Sequence, residues 1–329
     1  MSNISPTVSV VVLSYERPAL LREALRSLAA QSYAPSEIIL VDNRSRASEE
    51  VARVAAEFPR VMLIRNRENL GYAAGMNRGI KEAACEYVYL TEDDITLERD
   101  CIRQLVEYAR GCAGDRLVSP LMYDRSAGTI RCAGGEVSLG GVYRRKTYGE
   151  GERDAGQYAQ PFDVTYVDGA CMFARADFLR RAGGFREEFF MYVEAVELCV
   201  RVARAGGRMT VVPAAKVYHT EPPPRANHAP EFDFHRYKNL FSLYMLHAPA
   251  RCLPEFFSRY ALLALARAAL GRGGDTKMLL KALLWTARRA PSLLKERRGA
   301  RPANFKAIVA GGRMPRGKQS AEVEEVVGT

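Results

Sequence analysis

Three acids in a row close an apolar run: Glu92, Asp93 and Asp94 follow Tyr87–Leu90 (YVYL) and Thr91. Such a cluster can hold a divalent cation through one or two carboxylates, with substrate phosphates and water filling the remaining positions. It can equally be a solvated turn or a helix cap, since a helical pattern over Asp100–Ala109 lies just beyond it. His219 ends another short apolar run and is a candidate further ligand, although a lone histidine there also reads as structural. Asp42-Asn43, after Ile38–Val41 (IILV), either caps the next helix or offers a carboxylate to a nucleobase imide or ribose hydroxyl. Arg67–Asn77 (RENLGYAAGMN) combines Asn69, Gly71, Gly75 and Asn77, where glycines let backbone approach a ligand or simply open a helix.

These residues share one kind of position. Val8–Leu13 (VSVVVL), Ile38–Val41, Val61–Arg65 and Tyr87–Leu90 are short β-branched or apolar runs, as expected for strands buried on both faces. Helical spacing recurs between them, at Ala19–Gln31, Glu49–Phe58 and Gly75–Ala84. Alternation at this pace implies right-handed crossovers and a parallel sheet covered on both sides. Ligands in such sheets bind beyond the carboxyl ends of the strands, at the point where strand order reverses. The polar clusters Ser14–Arg17, Asp42–Arg44 and Glu92–Asp94 stand at those ends. No GxGxxG follows the first strand and no GxxxxGK[ST] occurs, which argues against a dinucleotide oxidoreductase or a P-loop enzyme.

The chain of 329 residues is long for one domain, and its 48% hydrophobic and 26% charged residues are those of a globular protein. Neither a signal-peptide pattern nor an uninterrupted apolar stretch of ~18 residues is expected from the sequence. Seven cysteines without a CxxC pair point to reduced thiols and a cytoplasmic setting. The net charge of +10 is unevenly spread: residues 1–250 balance 32 basic against 32 acidic side chains, while residues 251–318 hold 16 against 3. Residues 120–161 are glycine-rich and carry Arg144-Arg145-Lys146, leaving a flap and a β-excursion both open. Beyond it, helices are expected at Arg175–Ala182 and Glu194–Ala205, and short strands at Arg208–Val212 and Ala215–His219. The Pro222–Pro224 triplet is expected to close the core domain. Residues 236–298 read as helical, and Met278–Arg298 mixes leucines with cations as an interfacial helix does.

Taken in order, VSVVVLSYERP, IILVDNRS, RNRENLGYAAGMNRGI, YVYLTEDDITL and VDGACMFARADFLRRAGGFREEFFMYVEAVELCVRVARAGGRMTVVPAAKVYH resemble the inverting family 2 glycosyltransferases. The likeness covers about residues 7–245 and is greatest to the rhamnosyltransferase-like branch acting on bacterial surface polysaccharides. It implies an α/β fold of the nucleotide-diphospho-sugar transferase (GT-A) type, a Rossmann-like, mainly parallel sheet, with a basic helical extension. It implies a catalytic domain over residues 1–225, its nucleotide-binding half about 1–118 and its acceptor half about 119–225. A helical region would follow over 226–310, and a disordered tail over 311–329. By the same likeness Ser14, Glu16, Arg17 and Asp93 line the nucleotide pocket, Asp42 recognises the base, and Asn69, Gly71 and Gly75 lie near ribose and sugar. Glu92 and Asp94 with His219 would hold Mg²⁺ or Mn²⁺, and Asp168, Gly169 and Tyr192 would border sugar and acceptor. The family more often has Asn where Glu16 stands.

One departure touches the chemistry. FFMYVEAVELC matches a pattern reading roughly FFMYxEDxDLC, in which the second acid of the Glu-Asp pair is the catalytic base; here it is Ala195. An alanine cannot accept the proton of the attacking hydroxyl. Either the chain is an inactivated Asp→Ala variant, or Glu194 or Glu197 serves as base, or the protein binds without catalysing. Glu194 and Glu197 share one helix side, a solvated face or an acceptor-site edge.

The expected function is metal-dependent, inverting transfer of a sugar from a nucleoside-diphosphate donor (dTDP-rhamnose or a UDP-hexose) to a lipid-linked or polysaccharide acceptor. A non-catalytic binder of sugar nucleotides or glycans is the alternative. The basic C-terminal region suits an anionic membrane surface on the inner face of the cell membrane, or a homodimer contact. Nucleic acid is a poor fit, because aromatic residues are sparse there and no recognised motif is present.

Overall fold

The computed structural model describes residues 5–140, 143–220, 230–271 and 273–299. The first half runs β1 (Val8–Ser14), α1 (Pro18–Ala29), β2 (Glu37–Asp42), α2 (Ser48–Ala56), β3 (Val61–Arg65), α3 (Gly71–Glu82) and β4 (Tyr87–Glu92). It continues through β5 (Ile95–Leu97) and α4 (Cys101–Arg110) to β6 (Arg116–Asp124), β7 (Ile130–Cys132), β8 (Gly135–Leu139) and β9 (Tyr143–Thr147). Then come β10 (Phe162–Val164), β11 (Cys171–Arg175), α5 (Ala176–Arg181), α6 (Glu194–Arg204) and β12 (Arg208–His219). Three C-terminal helices follow: α7 (Pro230–His247), α8 (Leu253–Ala269) and α9 (Gly273–Gly299).

β1 is buried along its whole length, and its alternating side chains feed two separate cores. Val8, Val10 and Val12 pack with Leu21, Leu25 and Leu28 of α1 and with Val51 and Val54 of α2. Val11 and Leu13 pack on the opposite face, with Ala73, Met76 and Ile80 of α3. A strand flanked this way is nearly continuous in valine, and its two serines, Ser9 and Ser14, are buried with their hydroxyls bonded to Glu37 and Asp93. The main sheet orders its strands β10-β12-β6-β11-β4-β1-β2-β3, with β1 parallel to both β2 and β4. The chain leaves β1 towards β3 and returns to β4 on the other side, so the order reverses between β1 and β4. Ser14 and the Glu92–Asp94 cluster lie at the carboxyl side of that reversal. β11 runs antiparallel to both β4 and β6, joining the second half to the first.

Helix boundaries up to α6 move by no more than four residues from the sequence expectation, α3 beginning four earlier at Gly71, and α7 begins six earlier at Pro230. The two expected strands Arg208–Val212 and Ala215–His219 are one, β12, with a register shift between Val212 and Lys216. Pro213 lies inside that shift, where a residue without an N–H costs the ladder least. The 120–161 stretch is a β-excursion: the β8–β9 hairpin pairs Gly135 with Thr147 and carries Arg145. Pro222–Pro224 and residues 311–329 lie outside the described residues. All seven cysteines are free thiols.

The C-terminal helices form a bundle stitched by aromatic rings: Tyr244 stacks on Phe256 at 3.5 Å between centroids, and Phe241 meets Tyr260 edge-on at 4.9 Å. Arg297 donates to the carbonyls of Met245 (2.9 Å) and Ala248, satisfying the end of α7. Among the described residues no helix is long and apolar enough to cross a membrane.

α3 sits on β1 at backbone contact distance, because a Cβ on Gly79 would lie 2.2 Å from Val11 Cγ1. Gly79→Ala should therefore cost about 1–3 kcal/mol, the usual range for overpacking. Gly111→Ala, where the nearest atom is 3.5 Å away, should be near neutral. Paired urea unfolding curves check the contrast; equal midpoints would refute the close approach.

Candidate active site

The acid cluster is where β4 ends and β5 begins, and the first loop after β1 closes over it. Asp93 is fully buried and accepts from Ser14 Oγ (2.8 Å) and the Tyr15 amide (3.0 Å), so it ties the ends of β1 and β4 together. Arg17 reaches into the same cluster: Nη2 is 2.9 Å from Asp93 Oδ1 and 3.9 Å from Glu92 Oε2, and Nη1 pairs with Asp94 Oδ2. Asp94 Oδ2 also lies 3.3 Å from His219 Nε2, which β12 delivers by pairing with β5. Burial pushes the Asp93 carboxyl up to about 7, against the opposing pull of Arg17. Glu92 is raised by burial and by Asp94. Asp94 is held below its ordinary range, because His219 and Arg17 outweigh its burial.

The donor set fits a divalent cation. Asp94 Oδ1 and His219 Nδ1 are buried without a hydrogen-bond partner, and Glu92 is only half-buried at the rim. Among the described residues no three His, Cys, Asp or Glu side chains form a ready-made ligand set. Mg²⁺ commonly completes a short protein set with substrate phosphates, so two or three protein donors suffice.

Several residues expected to touch the nucleotide have other work. Asp42 is buried and accepts from the Ser45 amide (2.9 Å) and Ser48 Oγ, closing the turn into α2 rather than presenting a free carboxylate. Gly75 is spoken for by packing, since a Cβ there would meet Leu13 Cδ1 at 2.7 Å. Glu16 accepts from the Arg46 amide (2.9 Å), linking the loops after β1 and β2. Asn69 Oδ1 accepts from the Gly71 amide (2.8 Å) and from Asn43 Nδ2 (2.9 Å). Asn43, less prominent in the sequence, is the hub: its Oδ1 accepts from Asn66 and Leu70, and its Nδ2 donates to Asn69 and Gly71.

Gly71 has φ +75° and abuts the second half of the site, a Cβ there lying 2.4 Å from the Phe190 carbonyl. That carbonyl accepts from the Ala73 amide (3.0 Å), a free donor of the first turn of α3. Tyr72 Oη donates to the Gly169 carbonyl (2.5 Å). Burial, then the charges of Glu92, Glu194 and Asp168, push the Tyr72 hydroxyl well up, so the three acids converge on one ring. Asp168 accepts from the Ala170 amide (2.9 Å) and Tyr166 Oη (3.1 Å).

The segment before α6 is strained: Phe190, Tyr192 and Val193 all have φ between 62° and 67°. Such conformations cost of order 1–3 kcal/mol each and persist only when neighbours over-determine them. Asn239 of α7 does so, its buried Nδ2 lying 2.6, 2.8 and 2.7 Å from the carbonyls of Phe189, Met191 and Tyr192. Lys238 donates to the Glu188 carbonyl (2.5 Å), and Arg289 of α9 pairs with the Glu188 carboxylate (3.0 Å). The Tyr192 ring carries the Arg236 guanidinium 4.6 Å from its centroid.

This loop sets the fate of the two glutamates, neither of which lies on a solvated face. Glu194 is buried at the first turn of α6 with Oε2 unpartnered, and burial raises its carboxyl to about 7, with Asp168 adding and Arg145 opposing. Glu197 corrects the expectation of a catalytic role. It is fully buried and bonded to Arg201 (2.7 Å) and His247 (3.1 Å), which overcome its burial and hold it down at about 2. Ala195 packs against Gly169, a Cβ on which would lie 3.2 Å from its own, so the position of the expected base faces the turn after Asp168. Asn239 carries no sequence signal of its own, and Tyr72 and Arg145 stand out in sequence only as members of RENLGYAAGMN and of the Arg144-Arg145-Lys146 run; the fold brings them here.

A 3-2-1-4 parallel half-sheet with acids at its reversal point, joined through antiparallel β11 to a second half, is the GT-A architecture of nucleotide-sugar transferases. Residues 6–231 match the family described as "Glycosyltransferase like family 2", and the chain belongs to it, a glycosyltransferase of the rhamnosyltransferase-like branch. It is 26% identical over 239 residues to the N-acetylglucosaminyl-diphospho-decaprenol L-rhamnosyltransferase of Mycobacterium tuberculosis, covering 67% of this chain and 76% of that one. An O-antigen biosynthesis protein of Myxococcus xanthus is 29% identical over 70% of this chain, but the match spans only 18% of that protein. Among solved structures, GalNAc-T7 with UDP, GalNAc and Mn²⁺ has a TM-score of 0.59 at 16% identity, covering 75% of this chain and 49% of that one. The mannosyltransferase PcManGT of Pyrobaculum calidifontis, with GDP-Man and Mn²⁺, has a TM-score of 0.52 at 17% identity, covering 90% and 85%. Both share the fold.

Asn239→Ala removes the donor shared by three carbonyls and should let the Phe190–Val193 loop relax. Turnover should fall about 10²-fold, the scale of an ångström-sized misplacement, while nucleoside-diphosphate affinity stays at the wild-type level. Single-turnover kinetics beside calorimetry check this, and unchanged turnover would remove Asn239 from the positioning role.

Proposed function

We propose that the chain transfers a rhamnosyl or hexosyl group, with inversion, from a nucleoside-diphosphate donor to a lipid-linked or polysaccharide acceptor in bacterial surface glycan synthesis. The observation that carries this reading is Glu194: a buried carboxyl with one open oxygen, poised near 7, beside Asp168 and the Gly169 turn. A general base works best with a pKa near the operating pH. In the reaction the acceptor oxygen bonds to the anomeric carbon as the bond to the nucleoside diphosphate breaks, and Glu194 takes the hydroxyl proton. Asp168 and Tyr192 flank the acceptor side.

Ser14, Arg17 and Asp93 frame the diphosphate end of the pocket, with Glu16, Asn69 and Gly71 on the nucleoside side. Asp94, with Glu92 and His219, would hold a divalent cation, which when bound neutralises charge on the departing diphosphate. The UDP–Mn²⁺ and GDP-Man–Mn²⁺ complexes of the neighbouring folds support that cation, and the mycobacterial relative, whose name gives a diphospho-decaprenol acceptor and a rhamnosyl donor group, supports the substrate class. Work on such an acceptor suits a cytoplasmic enzyme resting on the inner face of the cell membrane.

The rate should follow the ionisation of Glu194. kcat/KM should rise with pH through an inflection near 7 and then level, because the protonated carboxyl cannot accept a proton. Glu194→Gln should abolish the inflection and lower turnover by ~10²–10⁴-fold. Its folded-state value lies above the ordinary 4.5, so the fold disfavours the ionised form and stability declines as pH climbs from that value towards 7. The glutamine variant should thus melt higher than wild type at pH 8 and alongside it at pH 4. Ala195→Asp should bring no gain; a rate increase of 10²-fold or more would transfer the base assignment to position 195. Calorimetry with UDP and dTDP, with and without Mn²⁺, tests the donor class, and failure of both to bind would overturn it.

A further inference from the structure

α8 and α9 present a second functional surface, remote in chemistry from the acid cluster. On α9 the exposed residues Lys277, Leu280, Lys281, Leu284 and Arg288 recur at helical spacing, so cations and leucines alternate down one face. The opposite face of α9 is used up inside the bundle, where Leu279, Ala282 and Leu293 are buried. On α8 the exposed side is apolar beyond Arg259, with Leu262 and Leu265 leading to Leu270 at the turn. Leu262, Leu265, Leu270, Leu280 and Leu284 are 46–74% exposed and are the five most exposed leucines among the described residues. Between the two helices opens a cleft of about 600 Å³, lined by Ala268, Thr276, Lys277, Leu280, Lys281 and Leu284. Between residues 251 and 299 the sequence has only Glu255, Asp275 and Glu296 as acids; Glu255 is paired with Arg259 and Glu296 with Arg186.

We propose that this α8–α9 face docks on an anionic phospholipid bilayer, the leucines entering the headgroup boundary and Lys277 and Arg288 pairing with lipid phosphates, while Lys281 adds its charge from over the Phe234 ring, 4.5 Å from the centroid. Leucines framed by lysine and arginine on one helix face are the composition of an interfacial element. The charge also argues against a second copy as occupant: a twofold contact sets this patch against an identical patch. Its exposed cations would then meet a surface of the same sign with no acid to answer them. Not every cation of the segment is available. Arg267 is buried and donates to Tyr237 Oη (2.7 Å), and Arg289 and Arg297 hold the acceptor-side loop and α7. The lipid-facing charge is thus concentrated on the leucine stripe. α9 and α7 also grip the loop before Glu194, so the docked face and the acceptor side share one scaffold. The proposal names the surface on which the transfer reading places its acceptor, and rests on that reading for its purpose.

The test is flotation of the full chain with phosphatidylcholine vesicles, with and without 30 mol% phosphatidylglycerol. Wild type should float with the anionic vesicles only, and added salt should weaken it. Lys277→Glu/Arg288→Glu should lose roughly fivefold in affinity per charge removed, at least about 25-fold for the pair. Leu262→Ser/Leu284→Ser should lose about tenfold or more at unchanged charge. Circular dichroism and calorimetric nucleotide binding should match wild type for both variants. Wild type that ignores anionic lipid, or variants that float as well as it does, would overturn the proposal. So would sedimentation showing a dimer, without vesicle binding, that the leucine variant dissolves. If nucleotide binding fails while flotation succeeds, the transfer reading falls and the docking face stands.

Discussion

Three consecutive acids at a buried strand end are an electrostatic liability, and the rest of the site is organised around discharging it. Carboxylates cannot be packed side by side in a poorly solvated place without opposite charge nearby. Arg17 supplies one positive charge to all three, His219 approaches Asp94, and Ser14 and the Tyr15 amide solvate Asp93. One arginine against three acids leaves the cluster short of positive charge, and burial together with that shortage raises the Glu92 and Asp93 carboxyls. The same contacts pin the first loop to β4, so the pocket's electrostatics and its shape have one cause.

A second balance is struck on α6. Glu194 and Glu197 lie one helical turn apart and begin as identical groups, yet their surroundings drive them in opposite directions. Two arginines and a histidine make Glu197 a buried permanent anion that fastens α6 to α7. Breaking such a pair from one side typically costs about 3–5 kcal/mol. Glu194, with an open oxygen and Asp168 nearby, is left able to exchange a proton. Division of labour between two acids by environment is the general way one fold supplies both an inert and a reactive carboxyl.

The parallel half was legible in the sequence because period-2 burial on both faces writes itself as uninterrupted valine and isoleucine, and the acids follow at the strand ends. The resemblance carried the reading into the second half, where periodicity alone left residues 120–161 undecided. What stayed hidden depends on contacts between distant segments. Asn239 lies some fifty residues from the carbonyls it bridges, and the burial of Glu197 beside Arg201 depends on His247 of α7 and Arg186, which lie outside its own helix. Gly75 and Asp42 matched motif positions, yet close packing and a turn claim their side chains. A linear pattern cannot distinguish a glycine that admits a ligand from one that admits a neighbouring strand.

The contact between Gly71 and Phe190 joins the two halves of the catalytic domain through a single missing side chain. The Ala73 amide of α3 bonds across that seam to the Phe190 carbonyl of the strained loop. A side chain at position 71 would have to push that carbonyl away, so the seam and the left-handed residues of the loop stand or fall together.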